Sequence, residues 1–212
     1  VRDNGMDPQR AVQNAEDLLR EGIDLLIEYD GTGAAGRPIM RMVRAADLPV
    51  IAVDIPMTGA THFGCDNDAA GAIAGHSIGQ WLNEHWGGRI DELWLITCSG
   101  GGAPNGAGGP ASLAPALRFE ATLEALKPLI APIPQVRHLV MPGEWASSAQ
   151  GVALSASACM EALRSTPPDC RVAAVCLTDE VAVGLAHAAR HLSRLAQLAV
   201  VSFGSDMEAL RA

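Results

Sequence analysis

The feature that most constrains the fold of this chain is a regular alternation between apolar runs of strand length and segments with helical periodicity. The predicted strands are residues 23–27, 48–54, 93–97, 136–140, 172–177 and 198–203. The predicted helices are residues 9–21, 35–46, 67–86, 112–126, 147–163 and 180–192. Strands separated by helices form βαβ units, in which the strands are parallel and the helices cover the sheet. The sequence therefore predicts an α/β fold with parallel sheets.

The composition narrows the classes of function. The chain has 212 residues, of which 49% are hydrophobic and 18% charged, so it holds enough apolar material for packed cores. Its formal net charge of −9 opposes binding to a phosphate backbone, and we expect no nucleic-acid partner. No apolar run approaches the roughly 18–20 residues that span a bilayer. The five cysteines include no CxxC pair, and we interpret them as structural.

A boundary between two lobes is predicted near Asp66, where a loop at residues 56–64 gives way to the long helix at residues 67–86. Residues 1–66 would then form the N-terminal lobe and residues 67–212 the C-terminal lobe. The N-terminal lobe would hold only two of the predicted strands, which is too few for a stable core. We therefore expect this lobe to be incomplete, with further strands supplied by sequence outside this chain.

Four segments of the chain resemble the sugar-type periplasmic binding proteins, the group that includes ribose-binding proteins. The segments are 48–54 (LPVIAVD), 63–71 (FGCDNDAAG), 178–185 (TDEVAVGL) and 200–204 (VVSFG). They follow the family's order at about its spacings, so the resemblance covers nearly the whole chain. It implies the type 1 fold of that family, with two Rossmann-like lobes and a ligand between them. The family's opening strand–helix–strand and its final return into the first lobe have no counterpart here.

The resemblance implies a receptor and not an enzyme. Such a receptor binds a sugar or a similar small polar ligand in the periplasm and closes around it. It then delivers the ligand to the membrane permease of an ABC transporter or to a sensor. The resemblance implies no cofactor, and a monomer.

Five residues match or adjoin positions that contact ligand in the family: Asp54, Arg118, Trp145, Thr178 and Asp179. The Asp54 carboxylate can accept hydrogen bonds from sugar hydroxyls, Arg118 offers five donors in a rigid fork, and Trp145 offers a flat face to a sugar ring. Thr178 and Asp179 follow a predicted strand, at the sheet edge where open α/β sheets bind ligands. Local roles remain open: a cap for either aspartate, a solvated helix position for Arg118, and a rim or core position for Trp145.

Three departures from the family's pattern indicate a ligand other than ribose. Ile55 replaces an arginine, Thr178 an asparagine and Gly204 an aspartate, so three strong polar groups are missing from the expected pocket. Asp206 is a candidate to compensate.

Other functions have weaker signals. The effector domain of a transcriptional repressor shares the fold and is the main alternative. A nucleotide-dependent α/β enzyme could use the glycine-rich stretch at residues 99–109, but this stretch lacks the Gly-Lys-Ser/Thr ending of a phosphate loop. His187 and His191 have the spacing of two metal ligands on a helix, but no third ligand accompanies them, and we predict no metal site.

Overall fold

The structure is a computed structural model that describes residues 1–5, 7–30, 33–98, 113–130, 132, 134–141 and 148–204. The chain divides into two compact units. The first comprises Val1–Asp66, and the second comprises the described residues from Asn67 to Cys98 and from Ala114 onward. Each unit contains its own sheet, and every strand pair in both sheets is parallel. The predicted α/β fold with parallel sheets is therefore confirmed.

The first unit has two helices and a three-stranded sheet. Its elements are α1 (Pro8–Glu21), β1 (Leu26–Glu28), α2 (Gly36–Ala45), β2 (Val50–Val53) and β3 (Thr61–Phe63), with strand order β1-β2-β3. Helix α1 begins where the sequence predicts, because the Asp7 carboxylate accepts hydrogen bonds from the backbone N–H groups of Gln9 and Arg10.

Strand β3 corrects the sequence analysis, which assigned only two strands to this lobe and placed residues 56–64 in a loop. Thr61 to Phe63 pair in register with Ile51 to Val53. The signal was weak because β3 has three residues, all exposed, and thus no apolar run. Only residues 54–60 connect β2 to β3, whereas adjacent parallel strands are usually joined by a helix-containing crossover.

The core of the first unit lies on one face of its sheet. Leu26, Val50 and Ala52 point to this face and pack with Ile39 and Val43 of α2. Side chains alternate between the two faces of a strand, so their neighbours point the other way. On that second face Ile27 is 63% exposed and Phe63 is 71% exposed. Among the described residues of the first unit, helices thus cover one face of the sheet.

The second unit is larger and its sheet is covered on both faces. Its elements are α3 (Asn67–Trp86), β4 (Glu92–Cys98), α4 (Leu113–Leu126), β5 (Val136–Met141), α5 (Ser148–Arg164), β6 (Val172–Cys176), α6 (Asp179–His191) and β7 (Leu198–Ser202), in strand order β5-β4-β6-β7. Strand β6 is buried at every residue, as the uninterrupted apolar sequence predicts. None of the described helices is long and apolar enough to cross a membrane.

Two clusters of apolar side chains sandwich this sheet. Trp94 and Ile96 of β4 face one cluster, which includes Cys159 and Leu163 of α5 and Leu185 of α6. Leu93 and Leu95 face the other, with side chains from α3 and α4. The residues of the central strand β4 therefore contribute to the core on one side or the other, and the carboxyl ends of the parallel strands are held at one edge.

Arg194 is a buried cation that joins two loops of the second unit. Its guanidinium donates to the carbonyl oxygen of Leu163, to Oγ1 of Thr166 at 2.8 Å and to the carbonyl oxygen of Pro167 at 2.7 Å. These acceptors belong to the turn after α5, whereas Arg194 follows α6. The fork of N–H groups therefore closes the end of the unit opposite the carboxyl edge of the sheet.

We predict that Arg194→Lys destabilises the protein by about 3 kcal/mol, because an ammonium cannot reach three acceptors spread along one turn and hydrogen bonds to charged groups net about 1.5–3 kcal/mol. Urea denaturation measures the effect. Arg164→Lys, at an exposed position in the last turn of α5, is the control and should change the unfolding free energy little. Equal stability of the two variants would contradict the structural role.

Glu28 at the end of β1 is a buried carboxyl. Asn4 Nδ2 donates to Glu28 Oε1 at 2.9 Å. Burial raises the pKa of Glu28 above its usual value; the Asn4 hydrogen bond opposes this shift, and the neighbouring charge of Asp30 adds to it. A carboxyl with a raised pKa favours the folded state while protonated. Its contribution to stability is therefore lost as the pH rises through the pKa in the folded protein.

We predict that Glu28→Gln stabilises the first unit at neutral pH and makes its stability less dependent on pH. Glutamine keeps an acceptor for Asn4 but carries no charge to bury. Denaturation of wild type and variant at about pH 5 and about pH 8 gives the test: the difference between them should be larger at the higher pH. A difference that shrinks with rising pH would contradict the raised pKa.

Candidate functional site

A stripe of glycines brings α3 and α4 into backbone contact. Gly71, Gly75 and Gly79 recur every four residues and so lie on one face of α3. A Cβ atom at Gly71 would lie 2.3 Å from the carbonyl oxygen of Arg118, and one at Gly75 would lie 2.5 Å from that of Thr122. Thr122 Oγ1 donates to the carbonyl oxygen of Gly71 at 3.0 Å. The stripe therefore fixes the position of Arg118 relative to α3 along the axis of that helix.

Arg118 is held beside the first residue of α3. Its Nε donates to Asn67 Oδ1 at 2.8 Å, and its guanidinium carbon lies 5.1 Å from the centre of the Phe203 ring, within cation–π range. The side chain is half-buried. Among the residues that the structure describes, no hydrogen-bond acceptor is found for its two terminal nitrogens. The arrangement orients the fork and leaves donors for a ligand.

Asp179 is fixed at the start of α6. It is buried, and its carboxylate accepts a hydrogen bond from the Ser202 hydroxyl at the end of β7. A Cβ atom at Gly204 would lie 2.3 Å from Asp179 Oδ2. The carboxylate of Asp179 therefore occupies the space next to position 204, where the related family carries an aspartate.

The end of β7 organises both groups through the alternation of its side chains. Ser202 points toward α6 and contacts Asp179, whereas Phe203 packs with the cluster of α3 and α4 and contacts Arg118. Both contacts lie at the carboxyl edge of the sheet, where open α/β sheets bind ligands. The structure thus places Arg118 and Asp179 of the sequence prediction in contact with consecutive residues at the end of β7.

Two threonines add hydroxyl groups at the same edge. Thr178 is the N-cap residue of α6, but its side chain makes no capping hydrogen bond. Thr97, near the end of β4, is buried, and its Oγ1 has no hydrogen-bond partner among the described residues. A buried hydroxyl without a partner costs free energy unless water or a ligand satisfies it. Thr97 is therefore a candidate contact that the sequence analysis did not select.

In the first unit, Asp54 follows β2 and is exposed. The backbone N–H of Asp54 donates to the carbonyl oxygen of Phe63 at 2.9 Å. The ring atom Nε2 of His62 lies 3.0 Å from the carbonyl oxygen of Asp54. The φ of +59° at Asp54 is a left-handed conformation that aspartate tolerates. These backbone contacts hold Asp54 at the carboxyl end of β2, and no hydrogen bond or ion pair to its carboxylate is found within the described residues.

Three parts of the sequence prediction lie outside the described residues. They are Trp145, Asp206 and the glycine-rich stretch at residues 99–109. The ligand role of Trp145 and the alternative of a phosphate loop therefore remain predictions. Among the described side chains, no group of three histidine, cysteine or acidic residues is placed to hold a metal ion.

Comparison with known proteins identifies the family. The model of the periplasmic binding protein domain matches residues 1–212. The chain belongs to this family. The members of this family are solute-binding proteins located outside the cytoplasm. No curated protein sequence matches the chain.

Solved structures of periplasmic binding proteins share the fold at low sequence identity. A glucose-galactose binding protein from Geobacillus stearothermophilus is 18% identical with a TM-score of 0.66, and covers 96% of this chain and 65% of its own. A solute-binding protein from Actinobacillus succinogenes with bound D-allose is 14% identical with a TM-score of 0.74; the match covers 100% of this chain and 68% of that protein. The Caulobacter myo-inositol binding protein is 19% identical with a TM-score of 0.67; the match covers 97% of this chain and 64% of that protein. The chain thus spans about two thirds of the length of these proteins.

Sequence reasoning missed Asn67, Ser202 and Phe203 as parts of the site. Asn67 and Phe203 lie within segments that carry the family resemblance, so a signal was present. Ser202 lies in the same segment as Phe203, but a serine at the end of a strand has no specific pattern of its own. The glycine stripe of α3 is visible in the sequence as a repeat every four residues, which indicates close helix contact.

We predict that Gly75→Ala destabilises the protein by about 1–3 kcal/mol, because its Cβ would overlap the backbone of α4. Gly151→Ala in α5 is the matched control. Its Cβ would make an ordinary contact, 3.6 Å from Glu180 Cβ, and alanine is favoured over glycine in a helix by about 0.5–1 kcal/mol. Urea denaturation should therefore show changes of opposite sign. A neutral Gly75→Ala would contradict the close approach of α3 and α4.

Proposed function

We propose that the chain is the binding part of an extracytoplasmic receptor for a sugar or a similar small polar molecule. The observation that carries the proposal is the cluster at the carboxyl edge of the second sheet. There Asn67 and Phe203 orient the Arg118 guanidinium, and Ser202 orients the Asp179 carboxylate. Oriented donors and acceptors at this edge are what a hydroxylated ligand requires.

The roles of the residues follow from their chemistry. Arg118 would donate to ligand hydroxyls through its terminal nitrogens, while Thr97 and Thr178 would offer hydroxyl groups. Asp54 would supply a carboxylate acceptor from the first unit, so that a ligand held by both units favours their closure. We propose Trp145 as an aromatic contact with the ligand ring.

The ligand would differ from ribose in its polar groups. At position 204, Asp179 fills the space next to the glycine, so one buried carboxylate takes the place of two. Ile55 contributes no donor after Asp54. Both features favour a ligand with fewer hydroxyls or with a different arrangement of them.

We further propose that the receptor acts in the periplasm without catalysis, as a monomer that passes its ligand to the permease of an ABC transporter or to a sensor. Units 1–66 and 67–212 would be the two lobes that close on the ligand. The family and the sugar-binding proteins among its structural neighbours support this role.

A thermal-shift screen with D-glucose, D-galactose, D-allose and myo-inositol tests the proposal, because a ligand at about 100 times its Kd adds roughly 2.7 kcal/mol of stability. For the ligand that gives the largest shift, calorimetry should show Arg118→Ala and Asp54→Ala weakening binding by about 10- to 150-fold, since a charge-assisted hydrogen bond nets about 1.5–3 kcal/mol.

Arg164→Ala and Asp169→Ala remove the same kinds of charge from exposed positions of the second unit and are the controls. They should leave the affinity unchanged. An affinity that Arg118→Ala and Asp54→Ala also leave unchanged would refute the assignment of the site. A response to ATP or NAD in the same screen, with none to sugars, would refute the receptor function.

A further inference from the structure

The outer face of α2 carries a row of three arginines. Arg37, Arg41 and Arg44 follow the spacing that places side chains on one side of a helix, and all three are exposed. They line a groove of about 940 Å³ within the first unit. The buried side chains of Met40 and Met57 form an apolar floor between them.

Charge in this groove is unbalanced. Some arginines of the described chain are paired with acids, such as Arg2 with Glu21, Arg20 with Glu16 and Arg137 with Glu92. No described carboxylate lies within ion-pair distance of Arg37, Arg41 or Arg44. Asp30 also lines the groove, but its carboxylate accepts a hydrogen bond from the backbone N–H of Ala35 at 2.7 Å. Three clustered positive charges in a chain of net charge −9 are complementary to an anionic partner.

One end of the row is fixed in position. Arg44 Nη2 donates to the carbonyl oxygen of Thr58 at 2.7 Å. Gly59 has a φ of +93°, and a Cβ atom there would lie 2.0 Å from Arg44 Nη2. The loop between β2 and β3 can therefore lie directly under the guanidinium only with glycine at this position. Arg44 is thus pre-oriented along the groove, which lowers the entropy lost on binding.

We propose that this groove binds an acidic peptide segment of a partner protein, with carboxylates on the arginines and an apolar side chain on the methionine floor. The row from Arg37 to Arg44 spans about 10 Å along α2, at 1.5 Å of rise per residue. A single phosphate or carboxylate contacts only part of this row, whereas a peptide places several carboxylates along it. Flexible methionines suit a surface that receives an apolar side chain.

The arginines and methionines of the groove are not among the residues proposed to contact the solute, although Ile55, which follows Asp54, also lines the groove. Neither Asp54 nor any residue of the second unit lines it. The inference therefore goes beyond the proposed function, and solute binding can be measured independently in every variant.

Fluorescence anisotropy with a labelled octapeptide, in which two leucines separate pairs of glutamates, tests the proposal. We expect saturable binding to the wild-type protein, and a loss of affinity of at least about tenfold in the double variant Arg37→Gln, Arg41→Gln. The matched control is Arg89→Gln, Arg164→Gln, which removes two exposed arginines of the second unit and changes the net charge equally. It should alter affinity by less than about twofold, because neither arginine lines the groove.

Several results would overturn the proposal. The proposal fails if the peptide shows no saturable binding, or if both double variants lose affinity equally. It also fails if a peptide in which glutamines replace the glutamates binds equally well. Competition by inorganic pyrophosphate at concentrations that match the peptide would indicate a site for small anions instead. Binding to vesicles of phosphatidylglycerol without binding to the peptide would indicate a membrane surface. Retention of solute binding in the arginine variants would separate any of these failures from failure of the receptor function.

Discussion

The backbone contact between α3 and α4 is the constraint on which the arrangement of the second unit depends. Gly71 and Gly75 allow the carbonyl groups of α4 to approach α3 at distances that any side chain would prevent. The contact fixes the backbone of Arg118 close to Asn67, so that their side chains can form a hydrogen bond. Because α3 is also the first element of the unit, the same contact ties the beginning of the unit to the carboxyl edge of its sheet.

Residues at the end of the last strand, β7, orient both charged groups. Consecutive residues of a strand point to opposite faces, so Ser202 and Phe203 reach Asp179 and Arg118 from one short segment. A hydroxyl serves the acid and an aromatic ring serves the guanidinium. Each contact orients its charged group through an uncharged partner.

Most of the fold could be predicted from the sequence because its helices and strands have strong, regular patterns. Helix α3 occupies the predicted residues 67–86, and the strands and helices of the second unit differ from prediction by one residue at most ends. Strand β3 could not be predicted, because its pairing with β2 comes from tertiary structure and not from an apolar run. Of the candidate site, Arg118, Thr178 and Asp179 lie at the predicted edge, but their partners depend on distant segments. These contacts join residues far apart in the sequence: Asn67 and Arg118 are more than fifty residues apart, and Ser202 and Asp179 more than twenty. Local sequence patterns do not encode such contacts, and the same holds for Phe203.

The burial of the first sheet on one face has a consequence for the exchange of its amide hydrogens with solvent. Within the described residues, β2 is paired along both edges but packed by helices on one face, whereas β4 and β6 are paired along both edges and packed on both faces. Amide hydrogens of β1 and β2 should therefore exchange with solvent through local fluctuations, and those of β4 and β6 only through unfolding of the whole second unit. The described part of the chain is then expected to show two levels of amide protection, higher in the sheet next to Arg118 and Asp179 than in the sheet next to Asp54.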